Sequence, residues 1–325
     1  AGIKLATLSL DTGTSKADLV ATLASSDVDA TEYLAAEVFS HQPPAIQAFL
    51  LQTSILDHFC APLCTEILEE GTGGVTAGGG TAWSAATCIE WLVRSNLFMI
   101  ALDGQREWYR YHHLFRDMLR RRAAAILTEE QQHRLQQRAA RWFVQRHLFD
   151  EALSHALAAG DLDLAAQITE EGLPDALNRE DWLTLERWLR LLPPALVETR
   201  PWLLMVKAWI MQFTWQLGAQ QHILDQIEAL LERPGEGQSP SDRPSDRERT
   251  ASEAQLRAQV ALMRGQHITF RQHPVHALEL LRTVIPRLPE RWAYVRGVTM
   301  LFTGMSMQAA GQGAAAERLL RDCFE

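Results

Sequence analysis

A chain of 325 residues has room for about two or three domains, and a hydrophobic content of 47% supports a sizeable core. Its 31 Lys and Arg stand against 40 Asp and Glu, and a formal charge of −9 excludes a global positive field that would recruit nucleic acid. Four cysteines with no CxxC pair, no signal peptide and no apolar run of spanning length point to the cytoplasm and away from a membrane.

The chain begins at AGIKLATLSL and ends at LLRDCFE, both inside apolar helical patterns, which suggests a piece of a longer protein. Helical stretches follow at PPAIQAFLLQTS (43–54), APLCTEILEE (61–70) and SAATCIEWLVRSN (84–96), the first two opened by proline. Cys60 and Cys64, in CAPLC, read as two small buried residues one turn apart rather than a metal or disulfide pair. GTGGVTAGGGT is a flexible glycine-rich connection; no Lys-Ser/Thr follows it, so it is not a phosphate loop. LFMIAL (97–102) and EWYRYH (107–112) are short β-type runs joined by Asp103-Gly104-Gln105-Arg106. Asp-Gly there signals a tight hairpin whose turn residues tolerate positive φ. A basic helix follows, with Arg116, Arg120, Arg121 and Arg122 interrupted by Asp117. Three helices, a hairpin and a further helix make the element order of a winged helix.

Three readings compete at Tyr111-His112-His113. A metal site is disfavoured, because adjacent residues point away from each other and no HExxH or carboxylate cluster completes it. DNA reading is disfavoured too: Ile89, Trp91, Leu92 and Val93 make the helix before the hairpin apolar and suggest burial, and arginines near a helix C-terminus suit its dipole without any ligand. A structural pair, one histidine packed and one solvated, remains.

From about residue 128 paired helices take over. Ala277-Leu278-Glu279-Leu280-Leu281 and Ala316-Glu317-Arg318-Leu319-Leu320 share an offset with Gly265 and Gly304, 39 residues in each case. Those small residues suit a tetratricopeptide-like unit, in which two helices approach closely. Earlier pairs are looser: Ala152 and Ala156 lie one turn apart before a Gly160-Asp161 stop, and Trp182, Leu185, Trp188 and Leu189 form a packing stripe ended by Pro193-Pro194. RPGEGQSPSDRPSDRERT (233–250) has too few apolar residues to fold and reads as a disordered insertion.

YLAAEVFSHQPPAIQAFLLQTSILDHFCAPLC, WLVRSNLFMIALDGQREWYRYHHLFRDML and RPWLLMVKAWI together resemble the MalT-like regulators, ATP-dependent LuxR-type transcription activators within the STAND class of signalling ATPases. The resemblance covers most of the chain and is most specific over residues 31–120. It implies a mainly α chain: the end of a STAND helical domain (1–29), a winged-helix domain (30–127) and a tetratricopeptide-like α-superhelix (128–325). It further implies ATP or ADP as the cofactor of the full-length protein, with the phosphate-binding Walker motifs outside these residues and no metal within them. Neither a catalytic residue nor an enzyme activity is expected of the chain itself, although the full-length protein would be a slow signalling ATPase.

Two residues gain a nucleotide-sensing role from the resemblance. Gly2-Ile3-Lys4-Leu5-Ala6 lines up with the family's GLPLA-type motif on the adenine side, with Lys4 in place of its proline. His112 matches the histidine of a Met-His-Asp element that stands near the ADP β-phosphate, with His113 in place of the aspartate. The implied partners are a small-molecule or protein inducer at the helical repeats, further copies of the protein in the active state, and DNA through a C-terminal helix-turn-helix that these residues lack. A second class of function, a helical-repeat scaffold for a protein or peptide partner without nucleotide switching, is compatible with the repeats alone.

Overall fold

The computed structural model describes residues 36–68, 83–95, 97–232 and 244–324. The protein is mainly α-helical, with one two-stranded antiparallel sheet among the described residues. The chain divides into two compact units, Ala1–Asp161 and Leu162–Glu325.

In the first unit α1 (Pro44–Thr53), α2 (Ala61–Ile67) and α3 (Ala85–Arg94) precede strands β1 (Met99–Ala101) and β2 (Tyr109–Tyr111), and α4 (His113–Ile126) follows. Proline sits in the first turn of α1 and α2, where its missing N–H costs nothing. Met99 pairs with Tyr111 and Ala101 with Tyr109, and Phe59 adds a bridge to Tyr109 on the strand's other edge. Phe49, Leu50, Leu56, Leu63, Leu92, Phe115 and Leu119 fill the core beneath them. Cys60, Cys64 and Cys88 are unpaired by disulfides and buried there; burial pushes the Cys88 thiol up to about 11 and Cys64 well above its usual value, so they behave as small apolar groups.

Two details depart from the sequence reading. The hairpin turn uses aspartate rather than glycine: the Asp103 carboxylate accepts from Glu107 N at 2.9 Å and Trp108 N at 3.0 Å. The left-handed residue is Arg106 (φ 56°), whereas Gly104 lies outside that region, and a Cβ added to it would meet no atom within 4 Å. Asp103→Ala is therefore expected to cost about 1–2 kcal/mol in urea unfolding, and Gly104→Ala to be nearly neutral. On α3, Ile89 and Leu92 are buried as expected, but Trp91 and Val93 are each 38% exposed. Helical spacing explains it, because four apolar positions within five residues cannot all face one core.

Thr128 opens α5 (Glu129–Val144) with a reciprocal cap: Thr128 Oγ1 accepts from Gln131 N at 3.2 Å, and Gln131 Oε1 accepts from Thr128 N at 2.9 Å. α5 pairs with α6 (Phe149–Ala158) and packs on α2, so this helix pair joins the first unit. Ala152 and Ala156 are fully buried, and Gly160 ends the pair at φ 67°.

The second unit runs through α7 (Leu162–Asn178), α8 (Trp182–Leu191), α9 (Pro194–Thr199), α10 (Pro201–Phe213), α11 (Leu217–Glu232), α12 (Pro244–Phe270), α13 (Pro274–Leu281), α14 (Ala293–Ala309) and α15 (Gly313–Phe324). α10–α11, α12–α13 and α14–α15 are the closely packed pairs. Leu185 and Trp188 of the predicted stripe are buried. Residues 233–243 of the expected insertion lie outside the described residues. From Pro244 the chain is helical, so the insertion does not extend to residue 250; proline suits the helix start, and Arg-Glu-Arg continues it favourably.

An indole ladder ties α10 to α12. Trp202 Nε1 donates to Ser252 Oγ at 2.8 Å and Trp209 Nε1 to Gln259 Oε1 at 2.7 Å, two contacts seven residues apart on each helix. Trp292 Nε1 donates to Gln255 Oε1 at 3.1 Å, and its ring stacks on Trp202 at 5.6 Å. The repeat glycines sit where two helices meet. A Cβ at Gly265 would lie 2.8 Å from Leu281 Cγ, and one at Gly304 2.7 Å from Leu320 Cγ.

Candidate functional site

His112 stands at the junction of β2 and α4. Its N–H donates to Phe98 O at 2.7 Å and its carbonyl accepts from Arg116 N at 2.9 Å, so the backbone is fixed on both sides. Tyr111, one residue earlier, is buried, with its hydroxyl 2.7 Å from Thr53 Oγ1 and its ring 4.6 Å from that of Phe59. His112 holds the N-cap position of α4 without a side-chain cap, and its half-buried ring lies 4.4 Å from the exposed His113 ring, centroid to centroid. Among the described residues neither ring nitrogen of His112 has a hydrogen-bond partner. Burial, then His113 and Arg110, lowers its pKa, so the imidazole is neutral at neutral pH. A neutral imidazole keeps one N–H to donate, and an adjacent anion would draw it toward the charged form. Gly2, the other expected sensing residue, lies outside the described residues, as does the glycine-rich connection.

Arg116, Arg120 and Arg122 of α4 have contacts within the fold. Arg120 donates through Nε to Ser54 O at 2.9 Å and through Nη2 to Ile55 O at 3.2 Å and Asp57 Oδ1 at 3.0 Å. Arg116 Nη1 reaches the same Asp57 oxygen at 3.0 Å, and the Arg122 guanidinium lies over the Phe39 ring at 4.8 Å. Arg116 and Arg120 held this way position the Ser54–Asp57 turn, with Arg116 Nη1 and Arg120 Nε and Nη2 bonded to its carbonyls and carboxylate. Among the described residues no group of three or more His, Cys, Asp or Glu is arranged to hold a metal ion.

A cavity of about 570 Å³ opens in the same unit, lined by the Ser54–His58 turn, α4, α5 and α6. Its floor is aromatic: His155 stacks on Phe143 at 5.4 Å and 7°, and His58 meets Phe143 edge-on at 6.0 Å. His155 Nδ1 bonds Gln136 Oε1, and Asp150, Glu151 and Ser154 stand on the α6 side. Burial pushes the His155 imidazole down to about 4, with Arg120 and His58 adding to it and Asp57 opposing it. The unfolded chain therefore binds a proton that the folded chain refuses between pH 6.5 and about 4. Stability from this group is full above pH 6.5, falls as pH drops toward 4 and is level below. A urea midpoint falling more steeply over that window in the parent than in His155→Gln is the expected result, by about 3 kcal/mol in total. No local signal in the chain marks this cavity, because its walls come from segments some 100 residues apart.

Comparison with known proteins places the first unit. Residues 35–133 match the family model described as the MalT winged helix domain. Similar curated proteins include the HTH-type transcriptional regulators MalT of Vibrio campbellii, Vibrio parahaemolyticus and Vibrio cholerae, each 28% identical over 257 residues, which is 79% of this chain and 26% of the relative. The chain thus spans about a quarter of the length of these relatives.

Proposed function

Since residues 35–133 are a winged helix of the MalT type and the wider chain is MalT-like, we propose that the chain is the central regulatory portion of an ATP-dependent LuxR-type transcription regulator. In this reading the winged helix reports nucleotide state, the helix pairs after it take an inducer, and the two together govern self-association and DNA binding by modules outside these residues. The observation that carries it is the setting of His112: fixed backbone, neutral ring and ring nitrogens without a partner, in a domain of the matching family.

Those properties fit a diphosphate. His112 would donate its N–H to a phosphate oxygen, and Arg110 would add positive charge nearby; bound ADP supplies the anion that the imidazole answers. Loss of that anion on exchange returns the ring to its neutral, unpaired state, which links nucleotide to the β2–α4 junction. His113 is exposed on the first turn of α4 and offers no carboxylate, so the role rests on His112 alone. The implied consequence is a resting state stabilised by ADP. In the full-length protein His112→Ala should raise basal transcription from a dependent promoter without inducer, and unchanged basal output at equal protein level would refute the role.

The α10–α12 ladder and the glycine contacts support the second half of the reading. They hold the helix pairs in one fixed packing, the kind of scaffold on which an inducer site can act.

A further inference from the structure

We propose that Phe98 is the positioning residue of His112: its left-handed backbone reserves the His112 carbonyl for α4, and the β2–α4 junction thereby has two arrangements. The functional meaning of this role rests on the reading of His112 as the group that answers the nucleotide. Phe98, the residue before β1, has φ 39° and is 9% exposed. A bulky residue at positive φ is strained, and such strain persists only where the surrounding structure holds it. Its ring lies 5.1 Å from that of Phe115, on the first turn of α4. Ring packing accounts for an aromatic residue at this place, but not for its φ.

The register of the hairpin accounts for the φ. Met99 pairs with Tyr111, so Phe98 lies opposite His112. His112 N donates to Phe98 O at 2.7 Å, which makes this a hydrogen-bonded pair of the antiparallel ladder. Two extended residues in such a pair exchange both bonds, because the N–H and C=O of each point to the same side. Here the return bond from Phe98 N to His112 O is not made. The positive φ turns the Phe98 N–H out of the ladder, and the His112 carbonyl accepts from Arg116 N at 2.9 Å instead. That bond opens α4, whose N-cap residue His112 supplies no side-chain cap. An extended Phe98 would bring its N–H back to the same carbonyl, adding one pair to the ladder and taking from α4 its first bond. One carbonyl thus serves either the helix or the strand, and an anion that draws the His112 ring acts on that choice.

Amide hydrogen exchange of the 325-residue chain, read by NMR at Arg116 and referred to the Leu50 amide of α1, tests the role. Phe98→Gly and Phe98→Ala both lose the ring, but glycine accepts positive φ freely and alanine does not. Protection at Arg116 is expected to be about tenfold higher in Phe98→Gly than in Phe98→Ala. A packing role alone gives equal values, or a lower one for the more flexible glycine, and either result would overturn the proposal. A second comparison needs no variant to fold: in the parent the Phe98 amide should exchange much faster than that of His112. Comparable protection of the two would mean that the return bond is made, and would overturn the proposal as well. Neither readout involves nucleotide. In the full-length protein ADP should leave Phe98→Ala faster than Phe98→Gly; equal release with the exchange order kept would sink the nucleotide reading while the backbone role of Phe98 stands.

Discussion

Trp209→Ala is expected to destabilise the second unit by about 3–5 kcal/mol. The ring is fully buried, with Phe213 at 6.3 Å and Tyr294 at 5.8 Å, so truncation opens a large cavity among aromatic neighbours. Part of the loss is polar. Trp209 Nε1 satisfies Gln259 Oε1 at 2.7 Å, and Gln259 is fully buried with its Nε2 already lacking a partner. Trp209→Phe keeps most of the volume but leaves Gln259 with neither end bonded, and should still cost about 1–3 kcal/mol. Adding Gln259→Leu to Trp209→Phe should recover much of that, because an apolar side chain needs no partner. Chemical unfolding monitored by helical circular dichroism reads all three; a loss below about 1 kcal/mol for the alanine variant would place Trp209 outside the packing described.

Gly265→Ala carries the second large effect. In an unconstrained helix that change would stabilise by up to about 1 kcal/mol. Here the new methyl would lie 2.8 Å from both Cγ and Cδ2 of Leu281, a buried side chain with little room to withdraw. Overpacking of this kind costs about 1–3 kcal/mol, so net destabilisation is expected. Gly304→Ala makes the same contact with Leu320, but Leu320 is half-buried and can turn aside, which predicts a smaller loss. Gly297 is the control: it lies within α14 with nothing within 4 Å of a Cβ, and its replacement by alanine should stabilise. Unfolding midpoints ordered Gly297→Ala highest, Gly304→Ala intermediate and Gly265→Ala lowest would verify the close approach; Gly265→Ala at or above the parent would contradict it.

The glycine pair also shows what a sequence can disclose. Its spacing of 39 residues is visible because both helix pairs repeat one packing solution, and Leu281 and Leu320 occupy equivalent places in it. The winged helix is legible for a similar reason: proline starts, the Asp103-Gly104 pair between two runs and the β-type residues are local signals of where elements begin and turn. Exposure of Trp91 and Val93 is harder to see, since it depends on which face of α3 meets the core. Arg116 and Arg120 look free for phosphate in one dimension, yet they are bonded to a turn 59 to 66 residues earlier. The cavity is invisible on the same ground, because His58, Phe143 and His155 are brought together only by packing.

His112 belongs to both categories. Its place after the hairpin strand follows from the sequence, and its half-buried, uncharged ring follows from the structure around it. The measurement that tests its proposed role most directly is the dissociation rate of ADP from the full-length protein, with His112 and with His112→Ala. One charge-assisted hydrogen bond predicts release about tenfold faster in the variant, with His113→Ala close to the parent. Equal rates in His112→Ala and the parent would contradict the account.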